Sequence, residues 1–179
     1  MKKKKTLWVL LAALVCLFAS YKFIENMQAK EEPEQEEESV YITQMDDVVH
    51  FSYTDESSKS SMGFTKKEDV WYYEEDESVS LDQSILESMV DTFANIEAIR
   101  QLEEPDALED YGLEEPMYTI TLEDADGNTV TVYVGDGAGE NYYVTVDEKE
   151  NVYTASDYIV SVMEFNLESL TEVEETESE

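Results

Sequence analysis

His50 is the side chain best suited to proton transfer near neutral pH, because it is the only histidine in the chain. A histidine acting as a general base needs a nucleophile within reach, and a zinc site needs further nitrogen or sulfur ligands. The single cysteine, Cys16, lies in an apolar N-terminal segment. We therefore expect no catalytic residue, no disulfide framework and no cysteine-based metal cluster. The chain is predicted not to be an enzyme.

Two glycine-containing segments resemble ligand-binding loops. Asp124-Ala125-Asp126-Gly127-Asn128 is similar to part of a calcium loop, but it lacks the EF-hand spacing, the late glutamate and the flanking helices. Strand-like alternation flanks it instead, so Asp126-Gly127 indicates a β-hairpin. The segment from Gly135 to Gly139 lacks the lysine and the following helix of a phosphate-binding loop, and indicates a flexible hairpin loop. No cofactor and no metal ligand are predicted.

The elements that must hold these segments follow from the apolar pattern. A capping box at Ser80 and Gln83 predicts a helix with its apolar stripe from Leu81 to Ala94, and Ser156 predicts a second helix reaching Leu167. Period-two alternation predicts strands at 48–53, 71–73, 118–122, 129–134, 141–146 and 151–154. The predicted fold class is α+β, with antiparallel β-meanders each followed by a helix. The order suggests a two-fold internal repeat.

The charge of the chain is strongly negative. Asp and Glu number 44 against 11 Lys and Arg, and from residue 31 onward 43 acidic residues face only five basic ones. Such a surface repels phosphate backbones, which excludes nucleic-acid binding. Such a surface could bind a basic protein partner. Alternatively, its carboxylates could bind Ca²⁺ or another small ligand, and both alternatives remain open.

The N-terminus indicates export. Four lysines at positions 2–5 precede an apolar segment at 7–24, whose 18 residues would span about 27 Å as a helix, close to the hydrocarbon thickness of a bilayer. A cleaved signal peptide and a lipoprotein signal at Cys16 are alternatives. Cleavage after Ala19, Ser20 or Ala29 would place a large residue (Leu17, Phe18 or Met27) at −3, and Val15 rather than a small residue precedes Cys16. We therefore expect a transmembrane helix retained as an anchor.

The predicted organisation along the chain has five parts. These are a cytoplasmic basic flank at 1–6, the transmembrane anchor at 7–24, an acidic linker at 25–39, an extracytoplasmic α+β domain at 40–170 and a disordered acidic tail at 171–179.

One motif carries a family resemblance. The segment Leu108-Glu-Asp-Tyr-Gly-Leu-Glu-Glu-Pro116, which we call the Tyr-Gly-Leu motif, precedes a strand, Asp126-Gly127 and a second strand ending in Val134-Gly135-Asp136. This arrangement, with Trp71 upstream, resembles the domain of unknown function family 4340, seen in membrane-anchored bacterial proteins. The resemblance implies an accessory role beside an ABC-type transport or envelope complex, and it carries over no catalytic residues.

The motif also has a structural interpretation. A helical turn at 106–110 would end at Gly112 in the left-handed conformation, Leu113 would enter the core, and Pro116 would set the edge of the next strand. The residues predicted to form the structural motif are Tyr111, Gly112, Leu113, Pro116, Asp126, Gly127 and Trp71. The predicted function is a non-enzymatic, membrane-anchored binding module with a protein partner in the envelope.

Overall fold

The computed structural model of the protein describes residues 39–171. The predicted flank at 1–6, the anchor at 7–24, nearly all of the linker at 25–39, and residues 172–179 lie outside the described residues. Between residues 39 and 171 no helix is long and apolar enough to cross a membrane.

Eight strands form the framework of the described chain. The strands are β1 (Val48–Asp55), β2 (Ser60–Lys67), β3 (Val70–Tyr73), β4 (Arg100–Gln101), β5 (Tyr118–Asp124), β6 (Thr129–Ala138), β7 (Asn141–Val146) and β8 (Tyr153–Ser156). The α-helices are α1 (Gln83–Ala94) and α2 (Tyr158–Ser161), and the 3₁₀ turns are Leu108–Tyr111, Val162–Glu164 and Leu167–Leu170.

All eight strands join one antiparallel sheet in the order β3-β2-β1-β5-β6-β7-β8-β4. The predicted α+β repeat of a meander followed by a helix is therefore wrong. The first three strands and the later ones are not separate units, because β1 pairs with β5 over residues Val48 to Asp55. The second predicted helix is also wrong in length, since α2 ends at Ser161 and only short 3₁₀ turns follow.

Helix α1 begins at a different cap from the one predicted. Asp82 is the N-cap, and its carboxylate accepts hydrogen bonds from the backbone N–H groups of Ser84 and Ile85. The hydrogen bond from the Ser84 hydroxyl, followed by those from the backbone, lowers the pKa of Asp82. A carboxylate in this position satisfies N–H groups that have no partner within the helix.

Gln83 closes one edge of the sheet rather than completing a capping box. Its side-chain amide accepts from the backbone N–H of Trp71 at 2.7 Å and donates to the carbonyl oxygen of the same residue at 3.1 Å. Trp71 belongs to β3, the outermost strand on that side of the sheet. The side chain therefore replaces a neighbouring strand at this point, and it blunts an edge that could otherwise pair with another chain.

The sheet is covered on both faces, but unequally. The main core lies between the sheet and α1 with the C-terminal helical turns, and it is centred on Phe51, Phe64 and Phe93, which are fully buried. A smaller core on the opposite face of β6 and β7 contains buried side chains of the Tyr-Gly-Leu motif, together with Val152 and Tyr143. The motif thus covers one end of the second face.

Candidate functional site

The Tyr-Gly-Leu motif folds as a short 3₁₀ turn that ends in a left-handed glycine. Gly112 has φ of 66°, and its N–H bonds to the carbonyl oxygen of Glu109 at 3.2 Å. The N–H of Leu113 returns to the carbonyl oxygen of Leu108 at 2.9 Å. The prediction that Gly112 ends the turn in this conformation is confirmed, and the two hydrogen bonds together form a Schellman motif.

Two aromatic side chains anchor the motif to the sheet. Tyr111 is buried, and its ring centroid lies 4.7 Å from that of Tyr143 on β7. The Tyr111 hydroxyl accepts from the backbone N–H of Asp106 at 2.8 Å, which fixes the chain entering the turn. Leu113 is fully buried in the same cluster, as predicted. These contacts make Tyr111 and Leu113 structural.

The motif also packs backbone against backbone. A Cβ built on Gly135 of β6 would overlap the carbonyl oxygen of Tyr111, and it would lie 3.0 Å from the carbonyl carbon of Gly112. The sheet register shifts between Val134 and Gly137, so Gly135 and Asp136 form an irregularity in β6 where this contact occurs. The predicted flexible loop from Gly135 to Gly139 is therefore wrong, because β6 continues to Ala138.

A cleft of about 610 Å³, which we call the motif cleft, lies beside this contact. Its walls come from the β1–β2 turn, the end of the motif, β5, β6 and the β7–β8 turn. The lining residues are Glu56, Ser57, Lys59, Glu114, Glu115, Pro116, Met117, Thr119, Tyr133, Asp136 and Lys149. Of the predicted motif residues, Pro116 reaches the cleft directly.

Lys149 joins the motif to β6. Its ammonium group donates to the carbonyl oxygen of Leu113 at 2.8 Å and lies 4.1 Å from the centroid of the Tyr133 ring. Lys149 has φ of 59°, a conformation that non-glycine residues adopt infrequently. The hydrogen bond and the cation–π contact both act on the same ammonium group, so they hold the motif against the sheet at a fixed distance.

The β1–β2 turn forms the other wall and is ordered by its own side chains. The Ser57 hydroxyl donates to the Asp55 carboxylate at 2.6 Å, and this hydrogen bond is the main cause that lowers the pKa of Asp55. Lys59 donates to Glu56 at 2.7 Å, which raises the pKa of Lys59. Glu56 therefore has a cation beside it, whereas Glu114, Glu115 and Asp136 give the cleft a negative rim.

The described residues bring few reactive groups together. His50 lies on β1 with its Nε2 atom 3.2 Å from Glu74, in the part of the sheet next to β3. Across residues 39–171 no group of three or more His, Cys, Asp or Glu side chains is placed to hold a metal ion. The cleft itself offers carboxylates together with the ammonium groups of Lys59 and Lys149 for ionic contacts and hydrogen bonds.

The remaining predicted residues lie away from the cleft. Asp126 and Gly127 form the β5–β6 hairpin, where the Asp126 N–H donates to Asp124 at 2.9 Å and Gly127 has φ of 85°. That hairpin is confirmed, and it stands at the end of β5 opposite to the motif. Trp71 lies on β3, at the far edge of the sheet.

A family model described as a domain of unknown function (DUF4340) matches residues 71–174. The chain belongs to the DUF4340 family. The match contains the Tyr-Gly-Leu motif, Gly135 and Lys149, so the residues that build most of the motif cleft lie within the DUF4340 region. No curated protein and no solved structure matches the chain.

The sequence pattern did not predict the role of four residues that line the cleft. Lys149 and Tyr133 are 16 residues apart on different elements, and neither occurs in a motif. Glu56 and Lys59 belong to a turn whose position depends on β2, a strand that the sequence pattern did not predict. One signal was available: Lys149 is one of only five basic residues after residue 30.

Proposed function

We propose that this protein is a non-enzymatic binding module that docks a basic surface of an envelope protein in the motif cleft. Residues 7–24 hold it at the membrane, with the DUF4340 region outside the cytoplasm. Its role is accessory, auxiliary to an ABC-type transport or envelope complex. One observation supports this proposal: the Tyr-Gly-Leu motif forms one wall of a cleft whose rim is negatively charged.

The rigidity of the cleft supports a docking role. A binding surface that is already in its bound shape loses less conformational entropy on association. The glycine contact between Gly112 and Gly135 and the ammonium group of Lys149 fix the motif wall, and the Asp55 hydrogen bonds fix the turn opposite. The partner therefore meets two walls that need little reordering.

The charge of the cleft supports a basic partner. Glu114 and Glu115 are exposed on the rim, and Asp136 faces the same space. Opposite charges across an interface mainly raise the association rate and select the partner. Binding should therefore weaken as the salt concentration rises.

Protease digestion of intact cells tests the location. Protease added outside should remove the DUF4340 region from the anchored protein, while a cytoplasmic control protein stays whole until lysis. Protection of the region in intact cells, with digestion after lysis, would show that it faces the cytoplasm.

Affinity purification from detergent extracts tests the cleft. The double substitution Glu114→Lys with Glu115→Lys should abolish recovery of the partner. Glu97→Lys with Glu168→Lys changes the charge equally at exposed positions outside the cleft and should leave recovery intact. Equal losses in both variants would mean that overall charge, and not the cleft, attracts the partner.

A further inference from the structure

A second concave surface lies near β3, one of the two edge strands of the sheet. This α1 groove, of about 320 Å³, runs between the second half of α1 and the segment that leads into β1, with Trp71 on its inner wall and Lys66 on its rim. Its lining residues are Met45, Asp46, Asp47, Val48, Lys66, Trp71, Glu87, Val90, Asp91, Ala94 and Asn95. None of them belongs to the motif cleft.

The inner wall contains a buried donor without an acceptor. Trp71 is 2% exposed, and its Nε1 atom has no hydrogen-bond partner within residues 39–171. The backbone N–H and carbonyl groups of the same residue are hydrogen-bonded to the Gln83 side chain, so only the indole N–H lacks a partner. Buried polar side-chain atoms are mostly hydrogen-bonded in proteins, so an unpaired donor in the wall of a concave site calls for an acceptor such as a bound water, ion or ligand atom.

The rim of the groove contains four carboxylates and one cation. Asp46, Asp47, Glu87 and Asp91 supply the negative charge. The ammonium group of Lys66 lies 3.7 Å from Glu87 and 5.7 Å from the centroid of the Trp71 ring. Its side chain is about a quarter exposed, and the long lysine stem allows the ammonium group to move from the ring into solvent.

We propose that the α1 groove binds an arginine or lysine side chain of a peptide, and that the adjacent peptide carbonyl accepts the hydrogen bond from Trp71 Nε1. The incoming cation takes the place of the Lys66 ammonium beside Glu87, with Asp91 on the same rim, and Lys66 moves outward. A metal ion does not fit, because the described carboxylates form no group of three around one point. A polyamine supplies the charge but offers no acceptor to the indole.

Isothermal calorimetry on the full chain in detergent micelles tests this site with three probes. The first is acetyl-Gly-Arg-Gly-amide, the second is the same peptide with neutral citrulline in place of arginine, and the third is spermidine. At about 0.15 M salt the Debye length is about 8 Å, so the general negative charge of the chain attracts cations only weakly. Under these conditions the arginine peptide should bind saturably and the citrulline peptide should not. In a Trp8→Phe background, the arginine peptide should also shift the fluorescence of Trp71.

Substitutions separate the site from the general acidity of the chain. Trp71→Phe keeps a ring but removes the donor, and it should weaken the arginine peptide about fivefold without changing spermidine binding. Glu87→Gln with Asp91→Asn should weaken the peptide about tenfold. Glu97→Gln with Glu168→Gln makes the same charge change outside the groove and should have little effect.

Lys66→Met provides a test that leaves Trp71 in place. It removes the competing cation and should tighten binding of the arginine peptide about threefold. The proposal is wrong if spermidine and the arginine peptide bind alike, if both charge pairs weaken binding equally, or if Lys66→Met weakens it. Unfolding of the Trp71→Phe variant would leave the Lys66 and carboxylate results to decide.

Discussion

Gly112 and Gly135 lie against each other, with no room for a side chain on either. A Cβ on Gly135 would overlap the backbone beside Gly112, and a Cβ on Gly112 would lie 2.6 Å from Cγ and 2.9 Å from the backbone nitrogen of Asp136. The two glycines are 23 positions apart in the sequence, one in the motif and one on β6. Their contact sets the position of the motif wall of the cleft.

Gly135→Ala should lower the free energy of unfolding by about 3 kcal/mol, because the new methyl group meets backbone atoms that cannot rotate away. Gly137→Ala is the matched control on the same strand. The nearest atom to its Cβ is Tyr142 Cε1 at 4.0 Å, so the change should be neutral or slightly stabilising. Urea unfolding of the two variants measures the difference, and equal stabilities would refute the close approach.

Gly112→Ala should be more destabilising than Gly127→Ala, although both residues have positive φ. At Gly127 nothing lies within 4 Å of the added carbon, so only the left-handed conformation costs free energy, about 1 kcal/mol. In Gly112→Ala the added methyl group also overlaps Asp136, so the free energy of unfolding should fall by about 3 kcal/mol. Comparable midpoints in urea for the two variants would show that the Asp136 contact contributes nothing.

Gln83→Leu should destabilise the domain by about 2 kcal/mol, since it leaves the backbone groups of Trp71 without their side-chain partner. It should also expose a sheet edge and promote self-association. Ser88→Leu adds the same side chain to an exposed position of α1 and serves as the control. Urea unfolding and light scattering give the two readouts. A monomeric Gln83→Leu variant of wild-type stability would exclude an edge-closing role.

Asp82 should make the stability depend on pH in the acid range. Its pKa is lowered in the folded protein, so its contribution is complete above the unfolded value of about 3.9 and is lost as the pH falls through the lower folded value. The stability difference between wild type and Asp82→Asn should therefore be constant above about pH 5 and shrink below about pH 4.

Ser84→Ala tests the cause of that shift. It removes the hydroxyl hydrogen bond that contributes most to the lowered pKa of Asp82. In this background the Asp82 contribution should disappear at a higher pH than in wild type. Guanidinium unfolding at a series of pH values provides the comparison, and an unchanged profile would assign the shift to the backbone N–H groups instead.

Local features of the fold were predictable from the sequence, because short-range chemistry determines them. Asp126-Gly127 predicted the hairpin, the apolar stripe ending at Ala94 predicted α1, and Gly112 was placed correctly in the left-handed conformation. The strand β2 was missed because Ser60-Ser61-Met62-Gly63 has no apolar alternation. It depends on pairing with β1 for its conformation.

Long-range features were not predictable. The merging of both strand groups into one sheet rests on the pairing of β1 with β5, which are more than 60 residues apart. The cleft requires the same pairing, because it brings together Glu56 and Met117, which both line the cleft. The backbone N–H of Glu56 donates to the carbonyl oxygen of Met117 at 3.0 Å, directly beyond the paired strands. Lys149 has a role only once the motif lies over Tyr133, and no local pattern encodes that position.

Photo-crosslinking in intact cells tests most directly whether the motif cleft is the docking surface. A photoreactive amino acid at Glu115, on the rim of the cleft, should give one discrete adduct with an envelope protein. The same amino acid at Glu168, which is exposed and lines neither the motif cleft nor the α1 groove, should give none. An adduct at Glu168 with none at Glu115 would contradict the account.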